Sequence, residues 1–132
     1  MMKFAFSTLM IGFVSLSTAW ANPSAPRTTK EVLVGMSDAY IPGGFDSNSE
    51  AYVVTSGIFP NGCYRFARAD VSHDSANVHS VRVFANVQQG MCLMVLVPFT
   101  KEVQLGQLAT GTHQIRFHGG DGTYLEKTMI VE

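Results

Sequence analysis

From residue 31 to the end of the chain, short runs of β-branched and aromatic residues are separated by Gly, Pro, Asn and Asp. The separators recur about every eight to twelve residues, and no stretch repeats apolar residues at the spacing of a helix. This rhythm is typical of a β-sandwich or a β-barrel. The sequence therefore predicts an all-β domain over residues 31–132, folded as an antiparallel β-sandwich of about seven to eight strands and without a helix.

The predicted strands are bounded by residues that cannot continue a sheet. Pro60-Asn61-Gly62 is the strongest turn signal, because Asn-Gly tolerates the backbone of a tight hairpin turn. The segment 41–50 must be a loop, since its proline cannot donate to a ladder and its paired glycines favour positive φ. Strands are expected at residues 31–40, 51–59, 63–71, 78–87, 91–97, 99–105, 112–118 and 123–131.

Alternation along the strand at 63–71 predicts which of its side chains share a face. One face is expected to carry Cys63, Ala67, Ala69 and Val71, and the other Tyr64 and Phe66.

The strand at 91–97 is apolar on both faces, whereas a sandwich strand normally shows one face to water. We therefore expect it to be either central and covered on both sides, or part of an association surface such as a homodimer face.

The first 21 residues have the composition of an export signal. Met1-Met2-Lys3 is a short positively charged start, residues 4–18 are almost wholly apolar or small, and Ala19-Trp20-Ala21 offers the small residues that signal peptidase requires. The apolar stretch is too short to predict a membrane span. We expect a signal peptide at residues 1–21, a flexible lead-in at residues 22–30, and a mature protein that is periplasmic or secreted.

The expected mature chain is of a size and charge that exclude some partners. Removal of residues 1–21 leaves 111 residues with eight Lys or Arg and ten Asp or Glu, which predicts one compact domain. A charge so close to neutral gives no electrostatic reason to expect nucleic acid or an anionic membrane as a partner.

The two cysteines, Cys63 and Cys92, both belong to the expected mature chain. In an oxidising compartment such an isolated pair predicts one structural disulfide. The pair is too far apart in sequence for a redox motif, and two sulfurs alone do not make a zinc site. Closing a loop of this length contributes on the order of 3–4 kcal/mol in the chain-entropy model.

The spacing of the polar residues does not predict an enzyme. Ser72, Asp74 and Ser75 crowd around His73 in a polar turn, with neither a strained nucleophile turn nor a base held by a third group. The remaining acids are dispersed along the chain. We expect a non-enzymatic protein that acts by binding and needs no cofactor.

Two segments are candidates for a binding surface. The loop at 41–50 is the longest irregular piece, and it offers Phe45 and Asp46 together with the adjacent Tyr40. The apolar run around Met94 is the second candidate. The expected partner is an envelope or extracellular protein, or a second copy of the chain in a homodimer.

The histidines and methionines leave a copper or zinc site open as an alternative function. His73 and His79 flank one predicted turn, so two adjacent strands could bring them together, and Met91 or Met94 would add a soft sulfur ligand. No tight cluster of His or Met ligands in the sequence supports this alternative. Met91 and Met94 would also point to opposite faces of an extended strand.

Part of the chain resembles a group of small exported bacterial proteins. The similarity lies in Phe59-Pro60-Asn61-Gly62-Cys63-Tyr64, in Gly90-Met91-Cys92 followed by Pro98-Phe99, and in Gly111-Thr112-His113, and it spans residues 57–127. The resemblance implies an immunoglobulin-like sandwich and a bond between Cys63 and Cys92. It implies no activity, and therefore no functional residue.

Overall fold

The computed structural model describes residues 28–132, and the regular secondary structure of this part of the chain is entirely β-strand. The predicted signal peptide and most of the predicted lead-in lie outside the described residues. The eight strands are β1 (Thr29–Val34), β2 (Asp38–Tyr40), β3 (Ala51–Phe59), β4 (Tyr64–His73), β5 (Val78–Gln88), β6 (Val97–Gly106), β7 (Gly111–His118) and β8 (Tyr124–Val131).

Strand β5 is the centre of the larger, five-stranded sheet. Strand β4 pairs with one edge of β5 along nearly its whole length. The other edge of β5 is shared, because β1 pairs antiparallel with residues 83–88 and β7 pairs parallel with residues 78–82. Strand β8 then adds to the outer edge of β7. The half of this sheet that contains β7 and β8 is therefore one strand wider than the half that contains β1.

The smaller sheet contains β2, β3 and β6, with β3 in the middle. Strands β1 and β2 belong to different sheets, so the chain crosses from one sheet to the other at residues 35–37. The single strand predicted at 31–40 is therefore wrong, because the chain leaves β5 after Val34 and pairs with β3 from Asp38. β1 also begins at Thr29, inside the predicted lead-in.

The core lies between the two sheets and follows the alternation of the strands. Side chains such as Val53 of β3, Val83 of β5, Phe117 of β7 and Met129 of β8 are almost completely buried. Apolar burial of this kind contributes about 1.5–3 kcal/mol for each large side chain. An all-β sandwich is thus confirmed, but its pairing is not antiparallel throughout as predicted, because β5 and β7 run parallel. The part of the chain that the structure describes contains no helix long and apolar enough to cross a membrane.

A β-bulge in β4 overturns the predicted faces of that strand. The pairing with β5 shifts between Phe66 and Arg68, so Ala67 is an extra residue and the alternation is reversed after it. Tyr64 and Phe66 consequently lie on the same inner face as Ala69, and all three pack on one core cluster.

Residues 91–96 do not form the predicted strand. They form a loop between β5 and β6. The loop connects the two sheets, because β5 belongs to the larger sheet and β6 to the smaller one. The edge strand β6 begins only at Val97. The predicted central strand covered on both sides is therefore wrong, while an association surface remains compatible with the exposure described below.

The two ends of the sandwich differ in chemistry. At one end, which we call the disulfide end, Cys63 precedes β4 and bonds to Cys92, with the two Cα atoms 5.2 Å apart. At the other end, which we call the histidine end, the β4–β5 turn brings His73 opposite His79. The predicted disulfide is confirmed.

Candidate functional site

The loop at 91–96, which we call the apolar loop, is the most exposed apolar part of the described chain. Five of its side chains are between 54 % and fully exposed, namely Met91, Leu93, Met94, Val95 and Leu96. Residues 83–100 around it contain no charged side chain. Contiguous apolar exposure of this kind is typical of an interaction site on a folded protein.

The apolar loop is held to the disulfide end by a covalent bond and by one backbone hydrogen bond. Cys92 is bonded to Cys63, and the N–H of Gly62 donates to the carbonyl oxygen of Leu93 at 2.8 Å. Gly62 also passes close to the loop, because a Cβ added there would lie 3.3 Å from the Cβ of Leu93. The turn before β4 therefore fixes the middle of the loop.

The other predicted binding segment is built mainly into the fold. Phe45 is half-buried against the core and makes an edge-to-face contact with Tyr52 at 5.3 Å between ring centroids. Asp46 accepts hydrogen bonds from the N–H of Asn48 at 2.8 Å and from the hydroxyl of Ser49 at 2.9 Å. These hydrogen bonds stabilise the loop and hold the pKa of Asp46 below its usual range.

The four predicted binding residues do not form one surface. Met94 lies in the apolar loop at the disulfide end, and Tyr40 is 65 % exposed at the end of β2. Phe45 lies at the histidine end, where its carbonyl oxygen accepts from the N–H of Glu132 at 2.8 Å. Met94 and Phe45 are thus at opposite ends of a sandwich whose strands are roughly 30 Å long.

Three histidines form a continuous hydrogen-bonded row on the inner face at the histidine end. The Nδ1 atoms of His73 and His79 are 2.6 Å apart, and Nε2 of His79 is 2.8 Å from Nδ1 of His113. Nε2 of His113 lies 2.7 Å from the carbonyl oxygen of Ala109. The predicted meeting of His73 and His79 across the turn is found, and His113 extends it into the core.

The direction of hydrogen bonding along the three-histidine row follows from its buried end. A carbonyl oxygen only accepts, so Nε2 of His113 carries a proton and donates to Ala109. Nδ1 of neutral His113 then accepts from Nε2–H of His79. Nδ1 of neutral His79 in turn accepts from Nδ1–H of His73. Each ring therefore has one fixed tautomer when all three are neutral.

His79 is the most perturbed member of this row. Only 2 % of the residue is exposed, and burial, followed by the neighbouring His73 and His113, lowers its pKa from 6.5 to about 4. His79 is therefore neutral at neutral pH, which is the state assumed for the hydrogen-bond directions given above.

The structure does not bring Met91 to the histidines. The main-chain oxygen of Met91 lies near Sγ of Cys63, at 3.8 Å, whereas His73 ends the ten-residue strand that follows Cys63. The methionine and the histidine are consequently separated by roughly 30 Å. Within residues 28–132, no three His, Cys, Asp or Glu side chains converge as metal ligands. The structure therefore brings His73 and His79 together but does not bring Met91, the third predicted ligand, to them.

A second polar network lies behind the row, on the outer face of the larger sheet. The hydroxyl of Ser80 donates to the carboxylate of Asp74, so Nε2–H of His118 must donate to the Ser80 oxygen, at 3.0 Å. This direction is opposite to that of an activated serine, whose proton goes to a histidine. Ser80 is also almost completely buried, and the network stabilises the sheet rather than presenting a nucleophile.

Sequence reasoning missed the contact between His113 and His79, and it left open whether residues 91–97 are covered or form an association surface. His113 alternates in phase with Ile115 and Phe117, so its inward orientation was a readable signal, but its distance in sequence concealed the contact with His79. The exposure could not be decided from the sequence because an apolar run with the composition of a strand normally becomes buried.

The chain is similar to a known protein family. A family model described as the ORF11 beta-sandwich domain matches residues 53–131. This range contains both cysteines, the apolar loop and all four histidines, whereas β1 and β2 precede it. No curated protein and no solved structure shows significant similarity to the chain.

Proposed function

The chain belongs to the ORF11 beta-sandwich domain family, and from that premise we propose that it is a non-enzymatic binding module that acts through the apolar loop. The module is exported, periplasmic or secreted, and its sandwich is of the immunoglobulin-like type. Its partner is an envelope or extracellular protein. The observation that carries the proposal is the exposure of five apolar side chains in one loop joined to the sandwich by a disulfide.

The energetics of the apolar loop support binding. Burying a Leu, Val or Met side chain contributes about 1.5–3 kcal/mol. Five such side chains on a partner surface therefore supply a substantial part of a binding free energy, although association itself costs several kcal/mol. Leu93 and Leu96 are well exposed and are the residues we expect to act as anchors in the centre of the interface.

The disulfide supports this function by ordering the loop before binding. Cys92 lies inside the loop and is bonded to Cys63, so the loop loses less conformational freedom when a partner covers it. The same bond keeps the apolar residues from pairing with other chains as an unrestrained segment would.

Capture of the partner from the native envelope tests the proposal. A tagged protein is cross-linked mildly in intact cells and purified with its partners, and the double variant Leu93→Ser, Leu96→Ser is compared with wild type. Ile130→Ser is the matched control, because Ile130 is also a well-exposed apolar residue but lies near the histidine end. We expect the double variant to lose the cross-linked species and the control to keep it. Equal capture by all three proteins would contradict the proposal.

A homodimer through the apolar loop is tested by a separate measurement. Sedimentation velocity of the purified protein detects it as a species of twice the monomer mass that the double variant no longer forms. Of the ligands predicted for a copper or zinc function, His73 and His79 lie together, and nothing favours this function over the binding function.

A further inference from the structure

The five-stranded sheet has an unoccupied position beside β1. Strand β4 occupies one edge of β5, so β1 and β7 lie end to end along the other edge. Strand β8 covers the outer side of β7 only. Among residues 28–132, no strand continues the position of β8 alongside β1. We call the outer side of residues 29–33 the open edge.

The backbone of the open edge has polar groups directed away from β5. The N–H of Gln89 donates to the carbonyl oxygen of Thr28 at 3.2 Å, and residues of an antiparallel strand alternate between facing the partner strand and facing away from it. The unbroken register of β1 with β5 therefore directs the backbone groups of Thr29, Glu31 and Leu33 outward. An exposed row of this kind is a template for an added strand.

The β7–β8 turn closes one end of the open edge. A Cβ added to Gly120 would lie 2.9 Å from the carbonyl oxygen of Leu33, so the turn contacts the last outward-facing carbonyl of β1. An added strand would extend from this turn toward the disulfide end, in line with β8.

A cavity of about 530 Å³ lies where the open edge meets the turn. This volume lies in the usual range for ligand pockets, about 300–1,000 Å³. Its apolar lining is formed by Leu33, Met36, Phe117, Tyr124 and Leu125. The cavity exists because β1 and β7 both leave β5 at the same point, between Arg82 and Val83. It is large enough for one aromatic side chain of an added strand.

The rim of the cavity carries one carboxylate. Asp121 lies in the β7–β8 turn, where its Oδ1 atom accepts from the N–H of Thr123 at 3.0 Å and from the Thr123 hydroxyl. These hydrogen bonds lower the pKa of Asp121, so this carboxylate is negatively charged at neutral pH. A positive charge at the cavity end of a ligand would complement it.

From these features we infer that the open edge is a second binding site, which takes an extended peptide segment of another protein as an added antiparallel strand. The peptide inserts a large apolar side chain near its N-terminal end into the cavity, with a basic residue before it. Antiparallel pairing sets this polarity, because β1 runs toward the cavity. Main-chain hydrogen bonds supply affinity, and the cavity supplies specificity.

Fluorescence anisotropy with a designed peptide tests the inference. The probe is Lys-Phe-Thr-Val-Thr-Val-Thr with a fluorescein on an added C-terminal lysine, and the control is the peptide with the first seven residues in reverse order. We expect saturable binding of the probe by the oxidised protein and binding of the reversed peptide at least about tenfold weaker. Replacing the first Lys by Glu should weaken binding severalfold, since it opposes Asp121. Absence of saturable binding, or equal binding of the reversed peptide, would overturn the inference.

Two variants of the protein identify the site. Glu31→Pro removes an outward-facing N–H, and proline is tolerated on the solvent side of an edge strand; Glu31→Thr keeps the N–H as its control. Gly35 lines the cavity and a Cβ there meets no atom within 4 Å, so Gly35→Phe is expected to fill the mouth of the cavity. Gly43→Phe is its control, because Gly43 is equally free of contacts but does not line the cavity.

The expected affinities separate the inference from a purely structural effect. Glu31→Pro should weaken probe binding about fivefold and Gly35→Phe more strongly, while both controls stay within about twofold of wild type. Should Glu31→Pro unfold the protein, Gly35→Phe still decides the matter because it leaves the β1 ladder intact. Unchanged binding by Gly35→Phe would contradict the inference. The open edge is distinct from the apolar loop, so Leu93→Ser with Leu96→Ser should bind the probe normally.

Discussion

Acidification should destabilise the protein through His79 before it affects the carboxylates. The folded protein holds this ring neutral with a pKa of about 4, whereas the ordinary value is 6.5. The unfolded chain therefore binds a proton that the folded protein does not bind until a lower pH. The contribution of neutral His79 to the free energy of unfolding is therefore fully present above pH 6.5, and it is lost as the pH falls from about 6.5 to about 4.

The size of this effect follows from the pKa difference. A shift from 6.5 to about 4 corresponds to at most about 3 kcal/mol, with a slope approaching about 1.4 kcal/mol per pH unit within the window. His118, whose pKa is also lowered, chiefly by burial, adds to the slope in the same direction. The ionised carboxylates act at lower pH, because the pKa of Asp74 is lowered from 3.8.

Urea unfolding at intervals of half a pH unit from pH 7.5 to 4 measures the slope. The slope of the free energy of unfolding against pH reports how many more protons the unfolded chain binds than the folded protein. In His79→Gln this number should fall by about one between pH 6.5 and 4.5, whatever the absolute stability of the variant. His73→Gln is the control, and it should keep most of the slope because burial, rather than the neighbouring imidazole, is the largest cause of the shift. If His79→Gln has the same slope as wild type, the folded protein does not hold His79 neutral and the reasoning is refuted.

Two further predictions concern packing and the covalent bond. Gly57→Ala should destabilise the protein by about 1–3 kcal/mol, because the new Cβ would lie 2.5 Å from the ring of Phe99. Gly43→Ala is the control and should be close to neutral, because a Cβ there meets no atom within 4 Å. Equal thermal midpoints for the two variants would contradict the packing described. Replacing Cys63 and Cys92 together by Ala should cost about 3–4 kcal/mol in urea unfolding, and an unchanged midpoint would show that the bond contributes no stability.

Local rules made most of the sandwich predictable. The Asn61-Gly62 turn and the alternation along β5 are properties of neighbouring residues, so the sequence alone indicates them. The Cys63–Cys92 bond was predictable because the sequence contains an isolated pair of cysteines and was expected to be exported. The bulge at Ala67 was not, because it depends on the pairing of β4 with β5 and not on the composition of β4.

The candidate sites were less predictable, since they depend on long-range contacts. A turn could place His73 beside His79, but only the parallel pairing of β5 with β7 brings His113 to the row. The apolar loop has the composition of a strand and fails to form one because it spans the two sheets between β5 and β6. The open edge follows from β1 and β7 sharing one side of β5, which no sequence pattern reveals.

Oxidative footprinting of the methionines tests the proposed role of the apolar loop most directly. Met91 and Met94 are exposed in the free protein, whereas Met129 is buried and serves as the internal reference. With dilute peroxide, we predict fast oxidation of Met91 and Met94 in the purified protein and strong protection of both in the native envelope, with Met129 slow in each. Equal oxidation of Met91 and Met94 in the two settings would contradict binding through this loop.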